Sequence, residues 1–335
     1  MLISRVWNWK ITAGAALILI LTTLLAISIG PVHLNFLTVL RTLFHLPQGL
    51  TGQEKTLLLD LRLPRVLLAA LVGCALATSG AVYQTVFRNP LADPYLLGTA
   101  AGAGLGATLT FTLLPHHIYS ILPLSAFIGG ILAVVASFFV SGRFVADPNT
   151  LLLSGIAVGS FATAFQTYLQ QRHSDVLRPV YSWILGELTA ADWNVIWWSS
   201  LYILLSVALL IAISSKLDAL LLSDEEAFSL GVNPRKLRLL AVAAATLATA
   251  TAVSASGLIG FVGIVVPHLV RGLTRRVTNR SLLTVALAGA AFLVLADLGA
   301  RTFLSPAELP IGVLTAFVGA PFFLFLLRQR RVSHL

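Results

Sequence analysis

The amino-acid sequence predicts an all-α integral membrane protein of about ten transmembrane helices, and three observations carry that reading. Apolar residues make up 57% of the 335-residue chain and charged residues only 10%, far from the balance of a soluble domain. The apolar residues fall in long continuous runs, near the roughly 20 residues that a helix needs to cross a hydrocarbon core about 30 Å thick. These runs do not alternate apolar with polar, which disfavours membrane strands.

The first run, 11–30, follows Arg5 and Lys10 and is too long for the apolar region of a signal peptide, so it reads as a retained span. Further spans are expected near 63–84, 95–114, 118–141, 150–170, 193–213, 237–256, 258–271, 281–300 and 311–328. The eighth is short and opens on Gly257-Leu258-Ile259-Gly260, as expected of a segment that re-enters or begins inside the bilayer. The chain reads as a single membrane domain over 1–335, with its longest polar loop at 214–236. Cys74 lies within a span as the only cysteine, so no internal disulfide is possible, and it reads as a small packing residue.

Charge orients the bundle. With both termini in the cytoplasm, fifteen Lys and Arg face inward and seven face outward: Arg41, Lys55, Arg62, Arg65, Arg172, Arg178 and Arg301. The net charge of +9 then describes a basic inner face against anionic lipid and calls for no nucleic acid. Asp93-Pro94 and Asp147-Pro148 each precede an apolar run, where Asp can cap free amides and Pro suits a first helical turn. Small residues recur every fourth position at Gly98, Gly102 and Gly106, at Gly73, Ala77 and Ala81, at Gly155, Gly159 and Thr163, and at Gly312, Ala316 and Ala320. Lipid offers helices no hydrophobic drive to associate, so such ridges imply close packing in a compact bundle.

The energy source is argued from what the spans lack. Ion-coupled carriers need an embedded carboxylate or equivalent, yet Asp297 is the only acid within a span; Arg301, one turn on, makes a local ion pair its plain reading. No Gly-x-x-x-x-Gly-Lys-Ser/Thr phosphate loop occurs, so hydrolysis of ATP by that route belongs to a partner. In the 214–236 loop, Ser223-Asp224-Glu225-Glu226 reads as a capping box and Gly231 as a helix C-cap, enclosing a helix of about two turns that contains Ala227. Asn233-Pro234 caps the next helix. On spacing alone the short helix is either a force-transmitting element or an ordinary connector.

The segment RLPRVLLAALVGCALATSGAVYQTVFRNPLADPYLLGTAAGAGLGA, beginning at Arg62, resembles the signature region of the FecCD-like permeases that import ferric siderophores, haem and cobalamin. So do LLLSGIAVG from Leu151, DEEAFSLGVNPRKLR from Asp224, GLIGFVGIVVPHLVR from Gly257, ADLGAR from Ala296 and ELPIGVLTAFVGAPFFLFLL from Glu308. The resemblance runs in order from about residue 60 to the C-terminus. It implies a type II ABC importer permease bundle in a bacterial cytoplasmic (inner) membrane. The implied partners are a second permease subunit in a homodimer, two cytoplasmic ATPases that use ATP and Mg, and a periplasmic or lipid-anchored substrate-binding protein. No cofactor is expected on this chain, and no covalent catalysis.

By the same resemblance Ser223, Asp224, Glu225, Glu226, Ala227 and Gly231 would form the coupling helix seated in the ATPase. Arg62, Arg65 and Arg301 would contact acidic groups on the binding protein, with snorkelling at the interface as the plain alternative. Asn89, Leu91, Asn149 and Thr150 resemble cytoplasmic gate positions, where helix capping is the plain role. His116-His117 lies in an external turn without a third ligand nearby, His268 reads as a packing residue and His173 has no assigned role. An ion-coupled secondary transporter is the alternative reading, and a structural or sensory membrane protein a third.

Overall fold

The computed structural model describes residues 9–30, 32, 34–47, 49–114, 118–142, 148–274 and 281–332, with side chains given for all of these except 118–120 and 326–332. Fourteen α-helices and no strand occur among the described residues. They are α1 (Trp9–Ser28), α2 (Phe36–Leu43), α3 (Gly52–Thr56), α4 (Leu63–Val86), α5 (Thr99–Leu113), α6 (Ile118–Val140), α7 (Pro148–Arg172), α8 (Leu177–Ile184), α9 (Trp193–Leu217), α10 (Asp224–Ser229), α11 (Pro234–Ser256), α12 (Val262–Thr274), α13 (Leu282–Thr302) and α14 (Ile311–Val332). Each expected span coincides with one of them, and seven helical stretches are long and apolar enough to cross a membrane. His116-His117 and Asp147 lie outside the described residues.

α4 and α11 form the centre. Apart from Cys74, every residue from Gly73 to Val86 is buried, and α4 packs against α9, α11, α12 and α13. Small side chains let one helix be surrounded by four others. At Gly73 an added Cβ would meet Gly289 O at 2.2 Å, and at Gly102 it would meet Gly129 O at 2.3 Å, so α4–α13 and α5–α6 touch backbone to backbone. The hydroxyls of α11 cost little in this interior because they bond within or across helices. Thr249 donates to Ala245 O at 2.8 Å, and the Thr246 and Tyr83 hydroxyls are 2.7 Å apart. By contrast α1, α6, α7 and α9 bury only about a third of their spans, leaving apolar faces outward.

Three stretches of non-helical backbone meet inside the bundle. The chain breaks between α11 and α12 at 257–261, where Gly257 and Phe261 have φ of 67° and 68°. Tyr95 Oη donates to Ile259 O at 3.0 Å and accepts from Ile259 N at 3.2 Å. The turn after α8 supplies Glu187 N to Ser256 O at 2.9 Å and accepts Gly312 N at Leu185 O at 3.0 Å. Non-helical backbone is tolerable inside the bundle because these segments satisfy one another. The eighth span thus starts at Val262, inside the bundle, as its glycine-rich opening suggested.

Two short helices, α2 and α8, lie in loops where the sequence reading placed none. Each is a local amphipathic turn docked by a few residues, Val39 in one and Val180 and Trp183 in the other. The second span is also longer than expected: α3 runs through a π-helical turn, Leu57–Arg62, into α4. Pro64 has no N–H for the carbonyl one turn earlier, and Leu63 N bonds back five residues to Leu58 O.

Candidate functional site

The structure brings Arg62, Arg65 and Arg301 together at one end of the bundle and gives each a partner within the chain. Arg62 is almost fully buried; Nη1 donates to Ile27 O and Ser28 O, both at 3.0 Å, and Nη2 to Val32 O. Arg301 Nη2 donates to Ala26 O at 3.1 Å. Both guanidiniums therefore sit on the terminal carbonyls of α1, where the helix dipole and orphan acceptors favour a cation. Gly30 leaves room for this: a Cβ there would lie 2.8 Å from Arg62 Nη2. Neither arginine snorkels.

Asp297 joins the cluster and is 1% exposed. Arg65 Nε donates to its Oδ1 at 2.9 Å, and Arg301 Nε lies 3.0 Å from its Oδ2, the expected ion pair one turn apart. The Arg301 Nε–H is aimed at Asp297 O at 3.4 Å, so the Oδ2 contact is electrostatic and not a well-aligned hydrogen bond. Arg65 is the one of the three that reaches the surface, with its outer edge held by Glu308 through Nη1 at 3.1 Å and Nη2 at 2.8 Å. Glu308 went unassigned from sequence because 243 residues separate it from Arg65.

At the opposite end α4 closes in a Schellman motif: Arg88 N donates to Thr85 O at 3.2 Å and Asn89 N to Gln84 O at 3.1 Å. Arg88 occupies the left-handed position, φ 49°, where glycine is usual. Asn89 Oδ1 then accepts from Leu91 N at 2.9 Å, so Asn89 shapes the turn that presents the exposed Leu91. Asn149 and Thr150 are exposed and lie in the first turn of α7, not ahead of it. The two pairs share an end because Gly155 of α7 packs on the backbone of Leu96 and Leu97. Beside this contact an open groove of about 650 Å³ runs between the start of α5 and α7, lined by Asp93, Tyr95, Gly98, Gly155, Gly159 and Thr163 among others. Burial pushes the Asp93 carboxyl up to about 6, although it caps Tyr95 N at 2.9 Å.

The 214–236 loop contains the expected capped helix. Ser223 Oγ accepts from Glu226 N at 3.2 Å while Glu226 Oε2 accepts from Ser223 N at 3.0 Å. These bonds hold the exposed Glu226 carboxyl below its usual range. Val232 N to Ala227 O and Gly231 N to Phe228 O close the other end, with Gly231 at φ 76°. Asn233 caps α11 through Lys236 N at 3.1 Å. Ala227 is buried, whereas Glu225, Phe228 and Leu230 face outward.

Arg88 ties this helix to the turn after α4, a link the sequence did not disclose. Its Nε donates to Leu220 O at 2.8 Å and its Nη2 to Leu222 O, and Asp224 stands at 4.0 Å. Asp224 is held more closely by Arg238 of α11. Asp224, the first residue of α10, thus lies between Arg88 of the turn after α4 and Arg238 of α11.

Seven long apolar helices, backbone-to-backbone glycine contacts and a capped, exposed helix at one end describe a polytopic membrane protein. The chain belongs to the FecCD transport family, whose model matches residues 18–329. It is therefore a permease subunit of the ATP-binding-cassette importer class, a transport protein and not an enzyme. The hemin transport system permease protein of Yersinia pestis is 43% identical over 82% of this chain and 83% of its own length. The cobalamin import system permease protein of Halobacterium salinarum is 39% identical over 86% of this chain and 77% of its own. A solved metal-chelate type ABC transporter in an inward-facing conformation matches with a TM-score of 0.86 at 31% identity, over 96% of this chain and all of that one.

Proposed function

We propose that the chain imports a metal chelate of the ferric siderophore, haem or cobalamin class as one half of a permease homodimer. Two separate ATPases, using ATP and Mg, drive it from the cytoplasmic side. A periplasmic or lipid-anchored binding protein delivers cargo at the other face. The membrane is the bacterial inner membrane, with both termini and α10 in the cytoplasm and the Arg65 cluster outside, as the excess of basic residues favours. The whole of 1–335 acts as one permease domain.

The observation that carries this reading is the linkage at α10. Ser223, Asp224, Glu225, Glu226, Ala227 and Gly231 build an exposed helix that the ATPase grips. Through Arg88 its movement reaches the turn holding Asn89 and Leu91, which together with Asn149 and Thr150 gates the path. The groove between α5 and α7, lined largely by small residues, forms part of that path once a second copy packs against the outward face of α7. Arg65 is the direct contact for an acidic group on the binding protein, and Arg62 and Arg301 fix the surface that presents it. In reconstituted vesicles, loaded binding protein is expected to raise ATP hydrolysis by the co-purified ATPase and to drive cargo uptake. Uptake that follows a proton gradient without ATP would overturn this in favour of an ion-coupled carrier.

A further inference from the structure

A cavity of about 440 Å³ lies at the Arg65 end of the bundle, where α8 meets the ends of α5 and α11 and the starts of α6 and α9. Its size is that of a pocket for a small organic ligand. The apolar walls include Phe111, Leu122, Trp183 and Val195, and both aromatic side chains are nearly buried. Aromatic faces carry negative potential and attract cations.

The charges of the described lining are all negative. Glu187 and Asp192 contribute them, and no Lys, Arg or His is among the described lining residues. Glu187 is half-buried; its backbone N donates to Ser256 O at 2.9 Å, while its carboxyl makes no hydrogen bond or ion pair among the described residues. Withdrawing a carboxylate from water without a partner is unfavourable, so a cation supplied from outside would be stabilising there. Asp192 caps α9, its Oδ1 accepting from Val195 N at 2.7 Å, and it too forms no ion pair among the described residues. Arg178, next to the lining residue Pro179, is exposed and pairs with neither acid. Residues 254–257 add the C-terminal end of α11, where the helix dipole is negative.

We propose that this cavity binds a small organic ammonium ion, with its apolar body against Phe111 and Trp183 and its charge toward Glu187 and Asp192. An anion would meet like charge, and a neutral aromatic would leave the carboxylates unpaired. A free amine and the ammonium of a phosphatidylethanolamine headgroup share this chemistry, and separate arms of the test distinguish them.

The full-length protein in a neutral detergent is titrated at pH 8 with benzyltrimethylammonium, benzyl alcohol or benzenesulfonate, followed by ligand-observed NMR and thermal unfolding. Benzyltrimethylammonium is expected to bind one per chain and to raise the Tm, with neither effect from the other two probes. Glu187→Gln should weaken its binding about fivefold, as expected for one partly exposed carboxylate beside a monovalent cation. The ligand-free variant should melt as the parent does, since the side chain it alters bonds to nothing. Asp192→Asn keeps a good N-cap and should weaken binding by a similar factor. Displacement of the probe by short-chain phosphatidylethanolamine, but not by short-chain phosphatidylglycerol, would assign the site to a lipid ammonium; displacement by neither would assign it to a free amine. Unchanged affinity in both acid variants, or benzyl alcohol bound as tightly as the cation, overturns the site.

Discussion

On the proposal that Arg65 docks a binding protein, Glu308→Gln is expected to tighten that capture, because Glu308 competes for the same guanidinium. The Glu308 side chain is 35% exposed and occupies the outer edge of the Arg65 guanidinium, whereas buried Asp297 anchors the inner edge through Nε at 2.9 Å. The substitution frees the outer edge and leaves the side chain aimed. An exposed pair of this kind is worth about 0.5–1 kcal/mol, so a partner no longer required to displace it gains roughly two- to fivefold in Kd. Arg65→Gln should lose at least as much, and it also leaves Asp297 with one cation fewer, so its thermal stability is measured beside its binding. The assay is surface binding of the binding protein to the chain in nanodiscs at about 0.1 M and about 1 M salt. The Debye length falls from about 10 Å to about 3 Å between these, and the Glu308→Gln gain should shrink accordingly. Affinity unchanged in both variants at low salt would make Arg65 an internal ion-pair partner alone and refute the docking role.

Tyr95→Phe should destabilise the protein by about 1–3 kcal/mol, since Ile259 N–H and C=O both lose a partner inside the bundle; unchanged melting would show that water or another group serves them. Gly73→Ala forces a Cβ to 2.2 Å from Gly289 O and should cost about 1–3 kcal/mol, while Gly14→Ala, with nothing within 4 Å, should be neutral or slightly stabilising in the same detergent melts. Burial raises the Asp93 carboxyl from its ordinary 3.8 to about 6, so folding favours its protonated form over its ionised one relative to the unfolded chain. Stability from this group is full below pH 3.8 and lost as pH rises through about 6, and Asp93→Asn should abolish that slope. At pH 7.5 the variant should then melt higher, by up to about 2 kcal/mol of stability given that groove water reaches the carboxyl; a pH profile parallel to the parent's would refute the burial argument.

Features set by local chemistry were legible in the sequence. The long apolar helices follow from runs of apolar residues, because a span needs only length and hydropathy. The capped α10 follows from Ser223 and Glu226 three residues apart and from Gly231, since caps are satisfied within one turn. The Asp297–Arg301 contact follows from a spacing of four on one helix. The short α2 and α8 were missed because each is an eight-residue amphipathic helix, too short to stand out where spans are found as long apolar runs.

The arginines mark the boundary between the two kinds of information. Sequence order shows that Arg62, Arg65 and Arg301 share an end, because topology alone requires it. Only the packing of α1, α4 and α13 decides that two of them cap the carbonyls of α1 and that the third divides itself between Asp297 and Glu308. The same holds for Arg88, whose partners lie more than 130 residues away. A buried guanidinium has several donors and accepts whichever oxygens surround it, so its partners are fixed by how the helices meet and not by its neighbours in the chain.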